Sequence, residues 1–204
     1  MAEKRASAGA KGKSSSKEET SPLLYEVLGI ILIALAIITI FEYGLVGKFI
    51  YSISLFFFGN LHIVVPFLLV LAAVIMMITR KAISFKNRLI LGVLIIVTSM
   101  TIFSHGIFFE ELLNAKALKS NSVFYETWRV LFQNGGIENR STSLGGGMIG
   151  ALFFSGFHLL LDSSGTKIAA WVMFIIGMIL VTGKALVPFI AENLPLWKKN
   201  IRNA

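Results

Sequence analysis

Apolar residues in this chain fall into long runs separated by short polar, basic or glycine-rich breaks. Residues 23–41, 61–78, 89–109 and 168–186 are apolar almost throughout, interrupted by isolated groups such as Glu26. Runs of about 18 or more apolar residues are the mark of membrane-spanning helices. The last run holds 19 residues. As a helix it would reach ~28 Å at 1.5 Å per residue, close to the ~30 Å hydrocarbon thickness of a bilayer. Pro66 lies inside the second run, and membrane helices tolerate proline better than soluble ones do.

Three stretches depart from this pattern. Segment 144–161 is nearly as long but opens with Gly145, Gly146 and Gly147, costly in a helix and suited to close backbone contact. Only six polar residues, Asp162 to Lys167, join it to the last run. Residues 42–60 hold Gly44, Gly47, Lys48 and the cluster Phe56-Phe57-Phe58-Gly59, and read as an interfacial hairpin with its rings at headgroup level. Residues 110–143 form the longest polar segment. Within it Phe124, Trp128 and Leu131 or Phe132 fall at helical spacing before Asn134-Gly135-Gly136. This predicts a short amphipathic helix on the outer membrane surface.

The prediction is an all-α integral membrane protein. Four transmembrane helices are joined by an extracytoplasmic loop over 110–143 carrying the amphipathic helix, and a glycine-rich interfacial or re-entrant helix covers 144–161. A disordered basic tail over 1–22 precedes this membrane domain of 23–190, and residues 191–204 begin a cytoplasmic linker. A 55% hydrophobic composition agrees with this class, and the absence of cysteine excludes disulfides and thiolate metal sites.

Charge adds direction. The net +8 is read first as positive residues holding loops on the cytoplasmic side. Tail residues Lys4, Arg5, Lys11, Lys13 and Lys17 and the acid-free loop bearing Arg80, Lys81, Lys86 and Arg88 belong there. So do Lys198, Lys199 and Arg202 near the end of the chain. Both termini inside demands an even number of crossings, so 144–161 and 168–186 cannot both cross. The second, with Lys184 near its inner end, is the better span.

Candidate chemistry is sparse. His62, His105 and His158 lie within or beside apolar segments, where an ionisable group is a functional suspect. No pair has the i, i+4 spacing of a helical metal site, and neither a metal nor another cofactor is expected. Ser155-Gly156 before His158 invites comparison with intramembrane serine proteases, but Phe153 stands where their motif needs glycine. Gly12-Lys13-Ser14 ends like a phosphate-binding loop, yet Ser7 replaces the required first glycine. The glycines say more. Gly146-x-x-x-Gly150 presents a small face to a neighbouring helix, and Gly177 and Gly183 recur later. Such a contact serves folding of one subunit or assembly of several.

Leu144-Gly-Gly-Gly-Met-Ile-Gly-Ala-Leu, Ser163-Ser-Gly-Thr-Lys-Ile and Ile176-Gly-Met-Ile-Leu-Val-Thr-Gly together resemble the end of the N-terminal membrane domain of the FtsK/SpoIIIE family of bacterial DNA translocases. Gly44-x-x-Gly47, Phe57-Phe58-Gly59 and Pro66 are similar to that family in order and spacing. The match over roughly 24–190 is closest to its SpoIIIE-like members in Firmicutes. The resemblance implies four spans with a cytoplasmic N-terminus, and a cell-membrane anchor at the division or sporulation septum for chromosome partitioning. It further implies a hexameric homo-oligomer, contact with membrane lipid and septal proteins, and a motor that moves double-stranded DNA using ATP and Mg²⁺. The sequence stops at Ala204, and neither the motor nor its P-loop lies within it. No residue here therefore inherits an ATP, catalytic or DNA-reading role. A small transporter or channel subunit is the competing class. It would require paired ionisable groups near the midplane, or broken helices in repeated halves.

Overall fold

The computed structural model describes residues 22–115, 122–132 and 143–183. Among them all regular structure is helical: α1 (Pro22–Ile40), α2 (Gly44–Phe58), α3 (Val64–Thr79), α4 (Arg88–Asn114), α5 (Val123–Phe132) and α6 (Gly147–Thr182). A 3₁₀ turn, Gly59–Leu61, links α2 to α3. By length and apolarity, α1, α2 with its 3₁₀ turn, α4 and α6 could each cross a membrane, while α3 is shorter at 16 residues. Large apolar side chains such as Ile30, Phe67, Leu159 and Trp171 point outward. That arrangement suits a hydrocarbon solvent. Hydroxyls within the helices bond their own backbone: Thr39 donates to the Leu35 carbonyl, Ser54 to Ile50 and Thr98 to Leu94.

Two antiparallel pairs build the fold. In the first, Gly29 of α1 packs on Ala73 and Met77 of α3. Glu26 and Arg80 meet at 3.6 Å beyond the same end of that pair. The C-terminus of α1 and the N-terminus of α3 therefore share the other end. Because α2 connects those two ends, it leaves and returns at one level. The absence of a side chain at Gly47 lets α2 sit directly on the Ile38 carbonyl. The expected hairpin over 42–60 is thus corrected to a helix and a 3₁₀ turn. Three glycines there mark close approach and sharp ends instead of irregular backbone.

The second pair is α4 with the last part of α6. Gly92 lies against Gly177, and the Ser99 hydroxyl donates to the Ala170 carbonyl at 2.7 Å. Lys167 reaches Glu110 at 2.6 Å near the far end. Yet α6 is not straight. Asp162 has φ 58° and ψ −177°, and the chain doubles back there. In the first arm (147–161), Gly150 meets Thr101 and His105, Phe154 meets Gly106, and His158 packs on Phe109. This arm therefore runs in the same sense as α4 and covers only its C-terminal half. The second arm (163–182) runs back along the whole of α4. Phe154 and Ala170, one from each arm, line a single small cavity of ≈ 80 Å³ beside Ile102.

The polar stretch Asp162 to Lys167 is therefore not a connecting loop, as its composition suggested, but a reversal residue and the first turn of the next helix. Asp162 accepts from the Ser163 N–H at 2.8 Å, and its own carbonyl accepts from the Thr166 hydroxyl at 2.7 Å. A positive φ combined with extended ψ is a strained backbone for a non-glycine residue and costs roughly 1–3 kcal/mol. At the other end Gly183 closes the helix with φ 66°.

Candidate functional site

The two pairs are stitched together where α2 meets the start of α6. Asn60 does most of the stitching. Its backbone N–H donates to the Gly145 carbonyl at 2.9 Å, its Oδ1 accepts from the Leu144 N–H at 3.0 Å, and its Nδ2 donates to Ser143 Oγ at 3.2 Å. The chain can turn here only because of its glycines. Gly59, Gly145 and Gly147 all have positive φ, at 57°, 55° and 63°. A Cβ on Gly147 would stand 2.6 Å from the Gly59 nitrogen and the Phe57 carbonyl oxygen. On Gly146 it would collide with the Thr101 carbonyl, and on Gly150 it would stand 2.7 Å from the same oxygen. Alanine at any of these positions would have to displace backbone.

Beside this crossing lies a buried polar cluster contributed by α4 and α5. His105 is wholly buried, its ring 5.4 Å from that of Phe108 and 5.5 Å from that of Phe154. Its Nε2 is 3.3 Å from Thr127 Oγ1, and that hydroxyl donates to the Val123 carbonyl at 2.9 Å. With the hydroxyl proton already committed, Nε2 is the donor and the imidazole is the Nε2–H tautomer. Next to Thr127, Arg129 Nε donates to Glu126 Oε2 at 2.9 Å, and both side chains are buried. The helix expected around Phe124, Trp128 and Leu131 or Phe132 is present as α5; Leu131 is buried, while the three rings are about half exposed. Its packed face is instead Val123, Glu126, Thr127, Val130 and Leu131. Periodicity locates such a stripe without saying which side is core; here the aromatic side faces outward and the polar side faces the protein.

The remaining candidates fall elsewhere. Gly177 approaches the Gly92 carbonyl, so that a Cβ would stand 2.9 Å from its oxygen, and a Cβ on Gly183 would stand 3.1 Å from the Arg88 guanidinium. Arg80 ends α3 in the left-handed conformation, while Lys81 and Lys86 are exposed. Lys198, Lys199 and Arg202 lie outside the described residues. His62 sits 3.2 Å from the Gly59 carbonyl, and His158 stacks on Phe154. The Ser155 hydroxyl donates to the Leu152 carbonyl at 3.0 Å, a bond within its own helix. Among the described residues no three His, Cys, Asp or Glu side chains converge as metal ligands.

Asn60, Thr101, Asp162 and the Glu126–Arg129 pair were not singled out in the sequence. Asn60 had a readable signal, since a polar amide directly after Phe-Phe-Phe-Gly is hard to place in an apolar segment unless it has partners. Thr101 acts through its backbone carbonyl, for which a sequence gives no signal.

No family model matches the chain, and no solved structure matches it significantly. Named relatives do. The DNA translocase FtsK of Sporosarcina ureae is 43% identical over 201 residues, covering 98% of this chain and 26% of that protein. The DNA translocase SpoIIIE of Bacillus subtilis is 35% identical over 195 residues, 94% of this chain and 24% of that one. The FtsK of Listeria monocytogenes is 31% identical over 192 residues, 93% and 25% respectively. The chain thus spans about a quarter of the length of the relatives it matches. Four of the described helices are long and apolar enough to cross a membrane, and by sequence these 204 residues are homologous to the N-terminal region of the FtsK/SpoIIIE DNA translocases.

Proposed function

We propose that these residues are the membrane anchor and assembly module of an FtsK/SpoIIIE-type translocase that partitions chromosomes at the division or sporulation septum. On this reading α1, α3, α4 and the second arm of α6 cross the membrane. The remaining elements, α2, α5 and the first arm of α6, form an extracytoplasmic layer, with the first arm re-entrant. Homologous subunits assemble, and the motor that hydrolyses ATP and grips double-stranded DNA belongs to the part of the relatives this region does not match. ATP chemistry needs a phosphate cradle, a P-loop Lys and a Mg²⁺ ligand, and residues 1–204 contain no such motif.

One structural observation carries the orientation. Arg80 meets Glu26 of α1 at 3.6 Å, and the Arg88 guanidinium lies beside Gly183 at the end of α6. The start of α1, the cationic loop of Arg80, Lys81, Lys86 and Arg88, and the end of α6 therefore lie at one end of the molecule. By the positive-inside tendency that end is cytoplasmic. The transporter reading gains nothing from the buried charges, because Glu126 and Arg129 pair with each other on one turn of α5. The chain lacks cysteine, so single cysteines at Ser84, Ser122 and Asn200 test the topology directly. An impermeant maleimide on intact cells should label only the Ser122 position. Labelling of position 84 or 200 from outside would overturn the four-span arrangement.

A further inference from the structure

We propose that the cleft between α3 and α4 is a binding site for one anionic phospholipid, with an acyl chain in the cleft and the phosphate held by Lys81 and Lys86. The cleft, ≈ 200 Å³ in volume, is lined by Leu71, Ala72 and Ile75 on α3 and by Leu89, Ile90 and Val93 on α4, with Ile83 and Phe85 at its mouth. It separates the two helix pairs, and every side chain lining it is apolar. The residues at the mouth belong to the same short loop as the cations. Ile83 and Phe85 enter the lining while Lys81 and Lys86, on either side of them, remain exposed. That loop contains no acidic residue. Of its two arginines, Arg80 pairs with Glu26 at 3.6 Å and Arg88 lies beside Gly183 at the end of α6. The two lysines have no ion-pair partner among the described residues. An apolar slot whose mouth is formed by a loop carrying two exposed, unpaired lysines matches the chemistry of a diacyl lipid with a negatively charged head. A zwitterionic lipid would bring its own cation to the same place. Phe85, 75% exposed, covers the glycerol region. The site does not depend on which leaflet the loop faces, so its failure and a failure of the topology are separable.

The test uses the full chain in nanodiscs of phosphatidylcholine doped with a phosphatidylglycerol carrying a photoreactive acyl chain, and in parallel with the matching phosphatidylcholine probe. Adducts are mapped by mass spectrometry. Phosphatidylglycerol adducts should concentrate on 68–75 and 89–94, exceeding those of the phosphatidylcholine probe. Lys81→Gln/Lys86→Gln should cut the excess about tenfold, since each basic residue near an anionic surface contributes severalfold. Ala72→Phe, or Val93→Phe if the first does not fold, should clear adducts from both walls while leaving the lysines in place. Three outcomes overturn the site. One is adducts spread evenly over outward faces such as Ile30 and Ile37. Another is an anionic preference unchanged by the lysine substitutions or by both wall-filling variants. The third is a crosslink between two copies of the chain through this cleft that added lipid does not displace.

Discussion

Replacing Asn60 with alanine isolates the stitch between the two helix pairs. Three hydrogen bonds converge on this residue, and only the two made by the side chain are lost. The first, Leu144 N–H to Oδ1 at 3.0 Å, is the costly one, because Leu144 is only 4% exposed. A buried donor left without an acceptor costs roughly 1–3 kcal/mol. The second, Nδ2 to Ser143 Oγ at 3.2 Å, is exposed and adds about 0.5 kcal/mol, the low end for a net hydrogen bond. The sum is a loss of about 1.5–3.5 kcal/mol for Asn60→Ala. Asn60→Asp retains the acceptor for Leu144 and should lose less than half as much. Equilibrium unfolding in mixed micelles of rising dodecyl sulfate fraction, followed by near-ultraviolet circular dichroism, reads both differences. The reasoning is refuted if Asn60→Ala unfolds within about 0.5 kcal/mol of the parent, or if the aspartate variant is the less stable of the two.

Two glycines on the same arm of α6 should respond in opposite directions in that assay. Gly156 has no neighbour within 4 Å of a built Cβ, so Gly156→Ala should stabilise by up to ~1 kcal/mol through helix propensity. Gly150→Leu drives a side chain into the Thr101 carbonyl and His105, and should abolish a monodisperse folded species on size exclusion. In the polar cluster, Thr127→Val removes the acceptor of His105 Nε2 and should cost about 1–3 kcal/mol, while Thr127→Ser should stay near the parent.

The long apolar runs were legible because a bilayer demands unbroken hydrophobic length, and α1, α4 and α6 each contain one; α3 is apolar but shorter, while α2 with its 3₁₀ turn, read from the sequence as a hairpin, is also long and apolar enough. What stayed hidden depended on geometry that composition does not encode. Glycine and aromatic residues in 42–60 look like a turn, whereas Gly47 is small because α2 rests on the Ile38 carbonyl. Asp162-Ser-Ser-Gly-Thr-Lys looks like a loop, whereas the chain reverses at a single residue of positive φ, Asp162, and the next helix begins at once. The stripe of Phe124, Trp128 and Phe132 was visible, but in a membrane protein an apolar stripe can face lipid as readily as core. Buried Glu126 and Arg129 reveal which way it turned. The glycines at 145–150 announced close contact, and only coordinates name Thr101, Gly59 and Phe57 as what they approach.

If this region serves as the membrane module of a DNA translocase, it should substitute for the matching part of a relative. The most direct measurement replaces the matching N-terminal quarter of Bacillus subtilis SpoIIIE with residues 1–204 and scores the fraction of sporulating cells whose chromosome is fully moved into the forespore. The account predicts a fraction near that of the parent, with the fusion focused at the septum, and a collapse when the graft carries Gly150→Leu. A graft that reaches the membrane at parental levels yet leaves chromosomes stranded would contradict it.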